Sequence, residues 1–154
     1  MKKFLNFLLI VMSVVSFTSC LKAGLDDFPA YGDANITTVN KVEYRYISSS
    51  VSNASGQQVV KYVELSRQAS IDAEKGTVTI TASKPSNFPS DQLNNLSANK
   101  LVVVVGLSTA ARLSPIGDAP LLGVPGDWSK PNKYLVTAAD GTKKEWTISL
   151  TLNK

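Results

Sequence analysis

From Tyr134 to Leu152, apolar and polar side chains change places at nearly every step. Tyr134, Val136 and Ala138 alternate with Leu135 and Thr137. Beyond Asp140-Gly141, Trp146, Ile148, Leu150 and Leu152 alternate with Thr147, Ser149 and Thr151. Period two is the repeat of a β-strand with one buried face. Asp-Gly between two such runs is the pair that a tight type I′ hairpin turn favours. The sequence therefore predicts a C-terminal β-hairpin with Tyr134, Val136, Trp146 and Ile148 turned inward.

The same reading extends upstream. Val42, Tyr44 and Tyr46 alternate with Lys41, Glu43 and Arg45. Ser48 to Gly56 reads as a polar loop, and Gln58 to Ser66 as a second strand returning in a hairpin. Lys75-Gly76 makes a turn before the alternating run Thr77 to Thr81. Pro85 to Asn99 reads as loop with one helical turn around Asp91 to Leu96. Leu101 to Val105 is a continuous apolar run, the pattern of a strand covered on both faces. Four prolines (Pro115, Pro120, Pro125 and Pro131) punctuate Ser114 to Pro131 and forbid a regular ladder there. A disordered linker is one reading of that passage. A structured crossover is the better one, because Ile116, Leu121, Leu122, Val124 and Trp128 need cover. The expected fold is all-β, an immunoglobulin-like antiparallel β-sandwich of about seven strands, with a small barrel as the alternative.

The N-terminus carries a different signal. Met1-Lys2-Lys3 is a positive n-region and Phe4 to Phe17 an apolar h-region of secretory length. That run is too short for a span of about 20 apolar residues. Phe17-Thr18-Ser19-Cys20 resembles the lipobox of bacterial lipoproteins, which implies cleavage before Cys20 and lipid on its sulfur. Cys20 is the only cysteine in the chain, so no disulfide framework exists. The expected organisation is a signal peptide over 1–19, a lipidated cysteine and tether over 20–36, and a sandwich domain over 37–154. The tether contains Gly24, Pro29 and Gly32 with acidic Asp26, Asp27 and Asp33. Acidic residues behind the cysteine resemble the surface-export signal of Bacteroidetes lipoproteins. This implies an outer-membrane protein facing the cell exterior.

The C-terminal half resembles a recurrent module of Bacteroidetes surface lipoproteins. The residues that carry this are Asp127-Trp128-Ser129, Pro131, the run Tyr134-Leu135-Val136-Thr137-Ala138-Ala139-Asp140-Gly141-Thr142, and Trp146-Thr147-Ile148. Leu113-Ser114-Pro115 and the strand Gly76 to Ala82 fit as well, so the likeness runs from about Ile71 to the end. It implies an immunoglobulin-like domain of unknown function, in some cases associated with polysaccharide utilisation. It carries over no binding residue.

The chain contains no histidine. This removes Ser-His-Asp and Cys-His catalysis and histidine zinc sites. Glu43, Glu64, Asp72, Glu74, Asp118 and Asp127 could in principle pair as glycosidase carboxylates, but their spacing brings no two together. No Asp-x-Asp-x-Asp-Gly loop suggests calcium, and the glycines form no phosphate loop. The expectation is no enzyme, no cofactor and no metal. The formal charge of +4 falls by two with loss of Lys2 and Lys3, too mild and too scattered for nucleic acid. Aromatic rings are the remaining candidates, since they stack on sugar faces. Trp146 and Tyr134 read as core. Trp128 reads as a plug over the sandwich, with ligand contact as its other use. Tyr44, Tyr46 and Tyr62 lie on a hairpin flanked by Lys41, Arg45, Lys61 and Arg67. The candidate ligand contacts are thus Tyr44, Tyr46, Tyr62 and Trp128. The expected partners are the membrane, through Cys20, and a polysaccharide or an envelope protein. A lipid-anchored glycan-binding or accessory module is the favoured function, with a structural or adhesive surface subunit as the alternative.

Overall fold

A computed structural model describes residues 30–154. Cys20, the leader and the first part of the tether lie outside the described residues. Eight strands run through the described residues: β1 (Ile36–Val51), β2 (Gln58–Glu64), β3 (Ser66–Asp72), β4 (Thr77–Ser83), β5 (Leu101–Leu107), β6 (Arg112–Pro115), β7 (Asn132–Thr137) and β8 (Lys143–Asn153). They form two sheets, one ordered β2-β1-β5 and the other β3-β4-β8-β7-β6. The fold is the all-β sandwich of immunoglobulin type that the alternation predicts. Every pairing is antiparallel except β4 with β8, which run parallel.

The inner faces meet in one core. Val42, Tyr44, Leu101 and Val103 come from the smaller sheet. Val78, Ile80, Tyr134, Val136, Trp146 and Ile148 come from the larger. In β4 the order Thr77-Val78-Thr79-Ile80-Thr81-Ala82 buries every second residue, because successive side chains point to opposite faces. Leu65 is the corner between the sheets. It is buried, and its N–H extends the first sheet by donating to the Val42 carbonyl at 2.8 Å. The chain then passes into β3 in the other sheet.

Ser114 to Pro131 is a structured crossover. Trp128 is fully buried and its indole Nε1 donates to the Leu101 carbonyl at 3.0 Å. Its ring stacks on Tyr134 at 6.1 Å, and the Tyr134 hydroxyl donates to the Pro120 carbonyl. Two ends of the proline passage are thereby fixed to one pair of rings. Burial pushes the Tyr134 hydroxyl far above its usual range, so it remains a donor at any physiological pH.

Several local expectations are corrected. The polar stretch from Ser48 is not loop: β1 continues to Val51, and the turn is confined to Ser52–Gln57. Of that stretch only Ser48 is buried, so no apolar face marks it as strand. The Asp140-Gly141 turn is not type I′, which requires positive φ at both residues. Gly141 has φ 91°, while Asp140 has no positive φ. The loop closes instead with the Gly141 N–H on the Ala138 carbonyl. The region assigned to the tether reaches into the domain, since Ala34 and Ile36 are buried. The Ala34 carbonyl accepts the indole Nε1–H of Trp146 at 3.0 Å.

Candidate functional site

The β1–β2 hairpin projects past the core, and its register decides what each face carries. Tyr44 pairs with Val63, Arg45 with Tyr62, Tyr46 with Lys61 and Ile47 with Val60. Directly opposed residues share a face. Tyr44, Tyr46, Val63 and Lys61 therefore face inward, while Arg45, Tyr62, Ile47 and Val60 face outward.

On the inner face an aromatic row leads out of the core. Phe88 contacts Tyr44 at 5.7 Å between ring centroids, and Tyr44 stacks on Tyr46 at 5.9 Å with the planes 15° apart. Tyr44 is only 3% exposed. Its hydroxyl donates to Gln92 Oε1 at 3.3 Å, and Gln92 Nε2 donates to Asp91 Oδ2 at 3.0 Å. Burial, with Tyr46 and Asp91 adding to it, raises the Tyr44 hydroxyl above its ordinary value. It stays protonated and ties the hairpin to the short 3₁₀ helix Ser90–Asn95.

Beyond Tyr46 the hairpin and this helix enclose an open cleft of about 500 Å³, lined by Tyr46, Gln58, Lys61, Asp91 and Gln92 with Ile47-Ser48-Ser49. One half-buried ring sits among hydroxyl, amide, ammonium and carboxylate groups. Two other open hollows among the described residues lack a ring. One lies on Arg67, Gln68 and Thr81, the other on Arg112, Thr137 and Ala138.

The four aromatic candidates separate accordingly. Trp128, 1% exposed, and Tyr44 are packed and hydrogen-bonded inside. This is a correction: neither ring has a free face for a ligand. Tyr46 lines the cleft. Tyr62 is 64% exposed but lies on the opposite face, so the three tyrosines form no common platform. Gln58, Asp91 and Gln92 are site residues that local pattern did not reveal. The register Tyr46 to Lys61 is not readable from the turn either, because Val51 pairs with Gln58 and an irregularity between Ile47 and Val51 offsets the ladder before Tyr46 meets Lys61.

Most of the carboxylates considered for catalysis are committed to local structure. Glu43 is buried and bonded to Arg45 at 3.0 Å, and Glu64 meets Arg67 at 2.7 Å. Asp72 accepts from the backbone of Glu74 and Lys75. Asp118 is bonded to Lys130. Asp127 accepts both Ser129 N–H and Ser129 Oγ–H, which hold its carboxyl below the usual range. The cleft itself presents one carboxylate, Asp91. Among the described residues no group of three or more His, Cys, Asp or Glu could hold a metal ion, and no helix is long and apolar enough to cross a membrane.

The fold and site define an immunoglobulin-type β-sandwich with a polar, ring-floored cleft at one hairpin. The chain belongs to the DUF5018-related family, whose model matches residues 36–149. That match includes β1 and β2, so the likeness extends well upstream of Ile71. The chain is similar to a crystal structure from Bacteroides fragilis, of a protein described as a candidate secreted protein. The two share 42% identity over 82% of this chain and 100% of that one, with a TM-score of 0.73. Comparison with curated proteins gives no match.

Proposed function

We propose that this chain is a lipid-anchored, exported, non-catalytic module that binds glycan in the cleft between the β1–β2 hairpin and the Ser90–Asn95 helix. The observation that carries the reading is the cleft's composition. A sugar has an apolar face for a ring and a rim of hydroxyls for hydrogen bonds. Tyr46 offers the ring, and Gln58, Lys61, Asp91 and Gln92 offer donors and acceptors around it. The relation to a candidate secreted Bacteroides protein supports export. The lipobox ending at Cys20 supports an outer-membrane anchor, with cleavage after residue 19 and a tether reaching toward β1.

The position of the cleft suits that anchor. β1 is 16 residues long, which at about 3.3 Å per residue is roughly 50 Å of strand. The cleft lies near the far end of β1 from Ile36, so a chain tethered at its N-terminus holds the cleft outward. Two measurements test the reading. Cys20→Ala abolishes palmitate incorporation and membrane association while leaving the fold intact. Tyr46→Ala abolishes retention on a glycan affinity gel that the parent chain binds. Palmitate labelling that survives Cys20→Ala sinks the anchor.

A second reading, a surface subunit that docks a protein, is favoured by one specific observation. Ile47 and Val60 face each other across the strands on the outer face and are 67% and 62% exposed, beside Tyr62. An apolar cluster of this kind is a protein-contact surface more often than a glycan one. Pull-down from envelope extracts with Val60→Thr, which lies outside the cleft, as the control separates the two readings.

A further inference from the structure

Resting on the glycan reading above, we propose that the cleft selects acidic polysaccharide, with Lys61 as the residue that recognises a sugar carboxylate. Six basic residues of the described domain are held in ion pairs. Lys41 and Arg45 meet Glu43, Arg67 meets Glu64, Lys75 meets Asp72, Lys130 meets Asp118 and Lys133 meets Glu145. Lys61 makes no ion pair among the described residues. Its ammonium donates only to Ser50 Oγ at 3.3 Å. The one cation lining the cleft is therefore also one whose charge the fold leaves unanswered.

Its position is defined by the ladder. Lys61 is the direct partner of Tyr46, and such partners stand about 5 Å apart at Cβ. A pyranose resting on the Tyr46 ring spans about that distance, so a carboxylate at its edge comes within reach of Nζ. The second charge in the cleft, Asp91, lies on the helix wall and is bonded to the Gln92 amide. There it accepts ring hydroxyls from the side of the sugar away from Lys61. The two walls thus sort the ligand's groups, carboxylate toward β2 and hydroxyls toward the helix. Lys61 also stands mid-strand on the free edge of the smaller sheet. A lysine there discourages strand addition by another chain, which keeps the cleft's rim clear.

The test uses the full chain in detergent against polygalacturonate, alginate and hyaluronan, each compared with its carboxyl-reduced neutral form. The parent chain binds at least one acidic polymer about tenfold more tightly than its neutral counterpart. That preference shrinks when salt is raised from about 0.05 to about 0.5 M. Lys61→Gln removes the preference, with acidic affinity falling to the level of the neutral polymer. Lys61→Arg keeps the preference, and Tyr46→Ala loses both affinities. Equal binding of reduced and parent polymers, unaltered in Lys61→Gln but lost in Tyr46→Ala, overturns the acidic selection and leaves glycan binding standing. No binding of any polymer, acidic or neutral, overturns the reading of the site itself and this inference with it.

Discussion

The body of the sandwich and the projecting β1–β2 hairpin use the same residue types in opposite ways. In the body, Trp128, Tyr134 and Trp146 are fully buried, and each sends its one polar hydrogen to a backbone carbonyl. A buried ring with its polar group satisfied serves packing and has nothing left to offer a ligand. On the hairpin, Tyr46 is half-buried at a cleft and Tyr62 stands in solvent beside Ile47 and Val60. Four of the large exposed apolar side chains, Ile47, Val51, Val60 and Tyr62, lie on this one element. The fold invests in rigidity at one end and keeps unsatisfied surface at the other. This is the division expected of a scaffold carrying a binding tip.

The largest effect that tests this division is Trp146→Ala. It removes the side chain that fixes Ala34 to the core, and the expected cost is about 3–5 kcal/mol. Tyr62→Ala, a change of comparable chemistry on the hairpin's outer face, should stay within about 0.5 kcal/mol. Urea denaturation midpoints at constant slope measure both. A Tyr62→Ala loss as large as that of Trp146→Ala breaks the comparison, because the hairpin would then be part of the body.

A pair of glycines sharpens it further. Gly76 and Gly56 have nearly the same φ, 65° and 67°. Gly76 ends the β3–β4 turn against the body, where an added Cβ would sit 2.5 Å from the Glu145 carbonyl oxygen. Gly56 closes the hairpin turn, where an added Cβ meets nothing within 4 Å. Alanine at Gly56 should cost only the left-handed strain, about 1 kcal/mol. Alanine at Gly76 adds a backbone clash that the Thr147 N–H to Gly76 carbonyl bond keeps from relaxing. The expected total there is about 3 kcal/mol. Equal costs at the two sites would mean that the β3–β4 turn yields as freely as the hairpin turn.

What sequence could reveal follows the same line. The β7–β8 hairpin and the buried alternation of β4 are local, and period two exposes them directly. The need to cover Trp128 and Leu122 was enough to infer a folded crossover. β3, Ser-Arg-Gln-Ala-Ser-Ile-Asp, escaped because it is an edge strand exposed over most of its length, so no apolar face marks it. The parallel pairing of β4 with β8 escaped because alternation reads the same in either direction, and the partners are far apart in sequence. The cleft is the extreme case. Its walls come from β1, β2 and a helix beyond β4, brought together by the Tyr44 hydroxyl bond to Gln92 and by Phe88 packing on Tyr44. Tyr46 could be nominated from its own strand, but Asp91 and Gln92 could not.

The smallest effect concerns acid. Asp72, Asp118, Asp127 and Asp140 all have carboxyls held below their ordinary value of 3.8, chiefly by hydrogen bonds from Lys75, Lys130, Ser129 and Thr142 respectively. Asp72 ends β3 and the other three sit in a turn or in the crossover of the body, and none is on the hairpin. A carboxyl whose folded pKa is depressed contributes stability that is fully present above the unfolded value. That contribution is lost as pH falls through the folded value. The body should therefore hold a constant urea midpoint down to about pH 5 and weaken below pH 4. Asp140→Asn isolates one contribution, since the amide oxygen still accepts the Thr142 N–H but cannot titrate. Its acid limb should be slightly shallower than that of the parent chain, with little change at neutral pH. These groups are exposed, so salt should reduce the difference. An acid limb identical in Asp140→Asn would mean that the turn keeps its stability through the Ala138 and Gly141 backbone bonds alone.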